Sequence, residues 1–313
     1  MATPKPSRIP SFRSSPPLSE LLTDLGPLAE LPGPWSGNGF NMIARPDHEG
    51  GNDIFLELNL TEESLVFDTI GAPVPNRGTA QDDINLFGIH YLQKINDATT
   101  HGALHIEPGI WANIPATTAP SETTSVARMA CIPHGNSMLA EGSSFTVKGP
   151  PVFTPVNTVP FGVGGPTPPP GAPNTFPEYN LSTPNPFRTS PLPPGITQAM
   201  VTNPITALQA AIAGQTIDQT VVLNIGTVPS FQIATTPTPT TVNISNGGGG
   251  VENIPFLNTN ANAATVLATF WIEKVKLPSG PGHFLQLQYV QTVLLNFLGL
   301  SWPHVSVATL IKH

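Results

Sequence analysis

Among the eight histidines of the chain, His304 has the most constrained setting. It follows Pro303 and begins a run of alternating small and apolar residues that extends to Ile311. Along an extended strand every second side chain shares a face, which here groups Trp302, His304, Ser306, Ala308 and Leu310. Neither face of the strand is polar, so we expect both to be covered. An imidazole in that setting is either a hydrogen-bonded core residue or a ligand to a group held inside the fold.

A second group of histidines precedes Trp111. His105 and Glu107 share a strand face at i and i+2, where they form either an interior hydrogen-bonded pair or a solvated contact. His101 and His105 have the H-x-x-x-H spacing that binds zinc when both lie on one helix. Gly102 favours a strand instead, and no glutamate follows His101 as in H-E-x-x-H, so a zinc site is disfavoured. His134, within Pro133-His134-Gly135, is interpreted as a turn residue.

The composition restricts the possible classes of protein. The 313 residues include 38 prolines and 28 glycines, which favour turns and extended segments over helices. A net charge of −8 argues against nucleic-acid binding, which needs clustered cations. No apolar run reaches the roughly 18 residues of a membrane span, and the N-terminus lacks the apolar region of a secretory signal. The single cysteine, Cys131, is compatible with a reducing compartment, so we expect a cytoplasmic location.

The sequence pattern predicts a mainly β fold, which must position His304, His105 and Glu107. A disordered tail is predicted for residues 1–17, followed by a short helix over Leu18–Leu31. The pattern from Trp35 to Lys148 predicts an antiparallel meander, in which Asp53–Leu60 and Ser64–Ile70 are separated by a turn at Thr61-Glu62-Glu63.

The second half of the chain is predicted to interrupt and then complete this fold. Residues 149–263 are rich in proline, so we expect a largely irregular insertion outside the barrel, with one short helix over Pro204–Ala213. Within it, Val221–Ile225 and Phe231–Ala234 are predicted to be edge strands, and Gly247–Gly250 a flexible loop. Residues 264–313 return to alternating strands that close the barrel, the last two joined by the turn Leu298-Gly299-Leu300. The predicted fold is a single antiparallel β-barrel formed by residues 18–148 and 264–313.

Three motifs, in this order, resemble the nitrobindin-like haem proteins, which have a calycin-type ten-stranded antiparallel barrel. LPGPWSGNGF, centred on Trp35, is similar to the opening G-x-W-x-G-x-G of that family. The segment Asp97–Trp111, with the Pro133-His134-Gly135 hairpin, is similar to its middle region, although the family has His-Pro-x-Gly there. SWPHVSVATL resembles the closing strand, and the similar parts cover about half the chain.

The resemblance implies that His304 is the proximal ligand of haem b. Iron held by one imidazole keeps a position open for a diatomic gas, peroxide or peroxynitrite, so a peroxynitrite isomerase-like or peroxidase-like activity is implied. Other candidates for contact with the cofactor share an aromatic or imidazole side chain and are Trp35, His105, Tyr289 and Trp302. The candidates for binding the haem propionates are Arg45, Arg77 and Arg128. The long proline-rich insertion has no counterpart in the family.

Two other interpretations of the sequence stay open. The first is a haem-free calycin barrel that binds or converts an apolar small molecule in the same interior. The second is a structural or interaction module that acts through its proline-rich insertion.

Overall fold

The computed structural model describes residues 17–228, 230–233, 240–243 and 248–313. The tail predicted for residues 1–17 lies outside the described residues except for Pro17. Parts of two further predicted elements, a strand over Phe231–Ala234 and a loop over Gly247–Gly250, also lie outside them.

The described residues form a few short helices and many β-strands of different lengths. The α-helices are α1 (Leu18–Asp24), α2 (Gln198–Thr202), α3 (Ile205–Ala211) and α4 (Pro255–Asn260), and 3-10 turns occur at Gly26–Leu28 and Pro177–Tyr179. The strands of the first half are β1 (Gly33–Asp47), β2 (Asn52–Thr69), β3 (Val74–Asn76), β4 (Ile84–Asp97), β5 (Ala103–Ile114), β6 (Thr117–Thr118), β7 (Ser121–Glu122), β8 (Ser125–Ile132) and β9 (Asn136–Lys148). Those of the second half are β10 (Phe161–Gly162), β11 (Ile217–Gly226), β12 (Ser230–Ile233), β13 (Thr240–Asn243), β14 (Gly249–Asn253), β15 (Asn262–Lys276), β16 (His283–Phe297) and β17 (Leu300–Lys312).

Ten of these strands form a closed antiparallel barrel. Their order is β1-β2-β4-β5-β8-β9-β11-β15-β16-β17, and β1 pairs with β17 to close the ring. The predicted fold class, a mainly β antiparallel barrel of about ten strands with short flanking helices, is confirmed.

Two glycines of the opening motif are required by this closure. A Cβ atom on Gly37 would lie 2.0 Å from the carbonyl oxygen of Thr309, and one on Gly39 would lie 2.3 Å from that of Val307. Both positions oppose β17 directly, Gly37 facing Leu310 and Gly39 facing Ala308. The Gly-x-Gly spacing therefore lets β1 approach β17 more closely than any side chain would allow.

The N-terminal segment covers one end of the barrel. The helix predicted over Leu18–Leu31 ends earlier, because Gly26 adopts a left-handed φ of 54° and a 3-10 turn follows α1. Leu25, Leu28 and Leu31 are buried against Trp35, whose Nε1 donates to the carbonyl of Leu31 at 2.8 Å. This end of the interior is an apolar core.

The second strand of the barrel differs from the prediction. The turn expected at Thr61-Glu62-Glu63 is absent from β2, which runs unbroken from Asn52 to Thr69. Thr61 and Glu63 point inward, where Thr61 Oγ1 donates to Glu63 Oε1 at 2.9 Å. Inward-facing polar residues look like turn residues in the sequence, and this similarity explains the error.

The predicted insertion over residues 149–263 does not lie wholly outside the barrel. β11 falls within it and is a full barrel strand between β9 and β15. The proline-rich segment, here residues 149–216, packs on the outside of the barrel instead. Its Tyr179, Val201, Ile205 and Leu208 form a second core with outward residues of the barrel such as Phe40, Met42, Trp271 and Val307. α3 matches the helix predicted over Pro204–Ala213 apart from its ends.

No helix among the described residues is long and apolar enough to cross a membrane.

Candidate functional site

His304 lies on β17 in a partly buried position near the barrel end opposite α1. Its Nε2 is 2.7 Å from Nδ2 of Asn41 on β1, and the same Nδ2 donates to Ser306 Oγ at 2.8 Å. Since an amide nitrogen only donates, His304 Nε2 accepts this hydrogen bond and the ring proton lies on Nδ1. Burial, with the charges of His105 and His134, lowers the pKa of His304 to about 3. The imidazole is therefore neutral at physiological pH.

Apolar side chains lie beside His304. Val293 of β16 pairs directly with His304, and Val266 of β15 pairs with Val293. Val266 belongs to a small cluster with Ala130 and Met138, and Val293 packs against it. These residues form an apolar wall next to the imidazole.

Two more histidines face the same region from across the barrel. β5, which carries His105, is separated from β17 by β1, β2 and β4 in the ring of ten. His134 lies in the turn between β8 and β9, and its ring centroid is 6.3 Å from that of His105. The turn position of His134 was predicted, but its contact with His105 was not. We call His304, Asn41, Val293, His105 and His134 the His304 site.

A buried ion pair lies deeper in the barrel, below His105. Glu107 and Arg128 are 1% and 2% exposed and bind each other, and both bind the hydroxyl of Tyr91. Arg128 Nη1 also donates to Gln291 Oε1 at 2.7 Å. Burial by itself raises the pKa of Glu107, but Arg128 and the hydrogen bonds from His105 and Tyr91 outweigh burial and lower it to about 2. Glu107 is therefore ionised.

The predicted pair of His105 and Glu107 is present, with His105 Nε2 3.3 Å from Glu107 Oε2. An ionised carboxylate only accepts hydrogen bonds, so Nε2 must carry a hydrogen in this contact. Glu107 thus fixes the orientation of the His105 ring, and Nδ1 is left as the atom that can exchange a proton.

A second buried carboxylate, Glu63, behaves differently. It accepts hydrogen bonds from Tyr289 Oη at 2.7 Å, Thr61 Oγ1 and Gln93 Nε2, and no cation is among its hydrogen-bond partners in the described part of the chain. Burial raises its pKa because these donors compensate only part of the lost hydration. Tyr289, one of the predicted cofactor contacts, is therefore an interior residue bound to Glu63.

Two other predicted cofactor contacts lie away from His304. Trp35 is six residues from Asn41 along β1, about 20 Å at the usual rise per residue, in the core beneath α1. Trp302 was predicted to share the face of His304, but it belongs to the outer core. It stacks on Phe297 at 5.2 Å and packs on Phe176 of the proline-rich segment at 4.8 Å. Trp302 lies only two residues from the hairpin turn, where packing with the proline-rich segment determines its surroundings.

The three predicted propionate ligands already have partners. Arg128 is enclosed with Glu107, Arg45 binds Glu57 and Asp47, and Arg77 binds Asp83. Among the described residues, no group of three or more histidine, cysteine, aspartate or glutamate side chains could hold a metal ion. His101 is exposed at a left-handed φ of 59°, with Nδ1 3.2 Å from Glu62, and so has a different setting from His105.

Comparison with known proteins gives no family assignment. No family model matches the chain, and no curated protein matches it. Among solved structures, the crystal structure of Rv2717c from M. tuberculosis aligns over 94% of this chain and 97% of that chain, with 14% sequence identity and a TM-score of 0.41. A likeness at this level carries no argument about function.

Proposed function

We propose that the His304 site binds haem b, with His304 as the proximal ligand of the iron. The observation that carries the proposal is a neutral, partly buried imidazole beside an apolar wall at one end of a closed barrel. A histidine must be deprotonated at the ligating nitrogen to bind a metal. A pKa of about 3 means that His304 meets this condition throughout the physiological range.

The surrounding residues fit a porphyrin in chemical type. Val293, Val266 and Met138 supply apolar contacts of the kind that line cofactor sites. Haem bound through one imidazole supplies an iron position at which a diatomic gas, peroxide or peroxynitrite binds. The resemblance of the three sequence motifs extends this proposal to peroxynitrite isomerase-like or peroxidase-like activity.

The residues of the chain have separate roles in this proposal. His304 would hold the iron through Nε2, the atom that accepts a hydrogen bond from Asn41 in the structure, and Asn41 would then need another acceptor. His105, oriented by the ionised Glu107, can take up or release a proton at Nδ1. His134, whose pKa is lowered by burial and by His105, stays neutral beside it.

Titration of the purified full-length chain with haemin, followed by its absorption spectrum, tests the proposal. We expect saturable binding with a Soret band, and a changed ferric and ferrous–CO spectrum in His304→Ala that added imidazole partly restores. His90→Ala is the matched control, because His90 is an exposed histidine whose nearest charged partner is Asp68 at 4.0 Å. A wild-type protein that refuses haemin, or a His304→Ala protein with wild-type spectra, would contradict the proposal.

Neighbouring residues on β16 offer a second control. Val293 faces His304, whereas Thr292 points to the outside of the barrel. We expect Val293→Phe to weaken haemin binding and Thr292→Phe to leave it unchanged.

A second candidate function is supported by the hydrogen bond between Asn41 and His304. Because Nε2 already has a partner, the same apolar wall suits a haem-free barrel that binds or converts an apolar small molecule. The absorption spectrum distinguishes the two candidate functions, because the second predicts no Soret band and no saturable haemin binding.

A further inference from the structure

The barrel end opposite α1 exposes large apolar side chains. Phe256 of α4 and Leu298 of the turn between β16 and β17 are 68% and 62% exposed. Val163 and Ile254 are 53% and 48% exposed. We call these four residues the apolar rim. Single exposed apolar residues are common on protein surfaces, so their meaning depends on whether they lie together.

Backbone contacts place the apolar rim along one end of the barrel. The amide of Val163 donates to the carbonyl of Gly299 at 3.1 Å, next to Leu298. The amide of Ile254 donates at 2.8 Å to the carbonyl of Gly135, in the turn that carries His134. Between them, α4 connects β14 to β15, and both strands reach this end of the barrel. The rim therefore follows the barrel edge from the β16–β17 turn to the β8–β9 turn.

Leu298 occupies a position at which the backbone favours a different residue. Leu298 and Gly299 form a two-residue turn with φ values of 52° and 75°. Two positive φ values are typical of a type I′ turn, in which Asn-Gly is strongly preferred. A leucine is sterically disfavoured at positive φ, and at its high exposure Leu298 gains little packing in return. An exposed apolar side chain at a strained position indicates a contact outside the chain.

The segments that carry the apolar rim are uncharged. No aspartate, glutamate, lysine, arginine or histidine occurs in residues 161–165, 254–261 or 297–300. The β1–β2 and β4–β5 turns at the same end contribute Glu49 but no lysine or arginine. Anionic phospholipids and nucleic acids are bound through clustered cations, so neither suits this end of the barrel. The chemistry of the rim fits an apolar partner without net charge.

The apolar rim consists of side chains on three separate segments of the chain. Gly162 and Gly164 flank Val163, and Gly299 follows Leu298, so these chain neighbours have no side chain to cover them. A stable protein interface needs a contiguous and shape-complementary surface of about 800 Å² per partner. A fluid bilayer accepts separate apolar side chains at its surface without such a fit. The rim therefore suits a lipid surface better than a protein surface.

We propose that the apolar rim docks this end of the barrel on an electrically neutral lipid bilayer, with Phe256 and Leu298 inserted at the boundary between headgroups and acyl chains. The docked end is the one nearest His304. The docking needs no haem, so it is independent of whether the His304 site binds this cofactor.

The test is flotation of the full-length protein with phosphatidylcholine vesicles over a range of lipid concentrations. We expect binding that high salt leaves unchanged and that added phosphatidylserine does not strengthen. Phe256→Asn and Leu298→Asn should each weaken binding about tenfold, since each removes an apolar side chain from the lipid. No binding to phosphatidylcholine vesicles would overturn the proposal, as would binding that needs phosphatidylserine and is lost in salt.

Leu18 provides the matched control, because it is a leucine of similar exposure, 65%, in α1 at the opposite end of the barrel. We expect Leu18→Asn to bind vesicles as the wild type does, and equal weakening in this variant would overturn the proposal. Leu298→Asn introduces the Asn-Gly pair that type I′ turns prefer, so its melting temperature should not fall and unfolding would not explain its weaker binding. Self-association of the wild type that Phe256→Asn abolishes would assign the rim to a second copy of the chain and overturn the proposal.

Discussion

The buried pair of Glu107 and Arg128 provides the sharpest test of the interior as described. Both side chains are almost wholly inaccessible, and the ion pair is completed by Tyr91, Gln291 and His105. Replacing Arg128 with methionine keeps much of the side-chain volume but leaves the carboxylate without a cation. Removing one partner of a buried ion pair typically costs 3–5 kcal/mol.

The pH dependence gives an independent estimate of that magnitude. The folded-state pKa of Glu107 is about 2, below its usual 4.5. This difference contributes about 3 kcal/mol of stability, which is present above pH 4.5 and is lost as the pH falls towards 2. In Arg128→Met burial dominates, so the pKa of Glu107 should rise above 4.5. The variant then loses most stability at neutral pH and less in acid.

Urea unfolding followed by tryptophan fluorescence at pH 7.5 and pH 5 measures this effect. We expect Arg128→Met to lose about 3–5 kcal/mol at pH 7.5 and less at pH 5. The double variant Glu107→Gln/Arg128→Met should recover part of the loss, because no unpaired charge remains. The reasoning would be refuted if Arg128→Met lost the same stability at both pH values and the double variant recovered none of it. Arg128→Lys, which keeps the charge, provides the comparison if Arg128→Met does not fold.

Three further outcomes follow from particular contacts. Gly37→Ala should prevent stable closure of β1 on β17 and greatly lower the melting temperature. Gly162→Ala is the control, because its added Cβ has nothing within 4 Å, and it should leave the melting temperature unchanged. Equal melting temperatures for the two variants would contradict the role of Gly37. Asn41→Ala should tighten haemin binding several-fold, since it frees His304 Nε2, and weaker binding would show that Asn41 supports the ligand instead. Burial raises the pKa of Glu273 to about 8, so the wild type should lose stability as the pH rises from 4.5 to 8. Glu273→Gln should therefore exceed the wild type by a few kcal/mol at pH 8 but not at pH 5, and parallel unfolding curves would refute this.

The barrel could be predicted from the sequence because its signals are local. The alternation of residues 302–311 and the turn predicted at Leu298-Gly299-Leu300 indicate the closing hairpin. In the structure Leu298 and Gly299 form the turn, with positive φ values of 52° and 75°, and Leu300 already begins β17. Alternation with period two and a two-residue turn define a hairpin without knowledge of the rest of the chain.

Two of the errors have long-range causes. The strand predicted over Val221–Ile225 was assigned to the insertion as an edge strand, whereas β11 is longer and is buried on both faces between β9 and β15. Trp302 alternates with His304, yet its surroundings are set by Phe176, more than a hundred residues earlier.

The candidate site could be predicted only in part. His304 and the pair of His105 and Glu107 were found from strand periodicity, which places side chains on faces. The contact of His134 with His105 joins a turn to another strand, and no spacing in the sequence encodes it. The binding of Asn41 to His304 similarly depends on the closure of β1 on β17. Finding either contact from the sequence would have required knowing which residues lie opposite each other across the barrel.

The most direct test of the central claim is the iron–histidine stretching band in the resonance Raman spectrum of the ferrous, haem-loaded protein. We expect the band in the wild type and in His90→Ala. It should be absent from His304→Ala, even if haem stays in the apolar interior of that variant. The same band in His304→Ala, or its absence from the wild type, would contradict the assignment of His304 as the iron ligand.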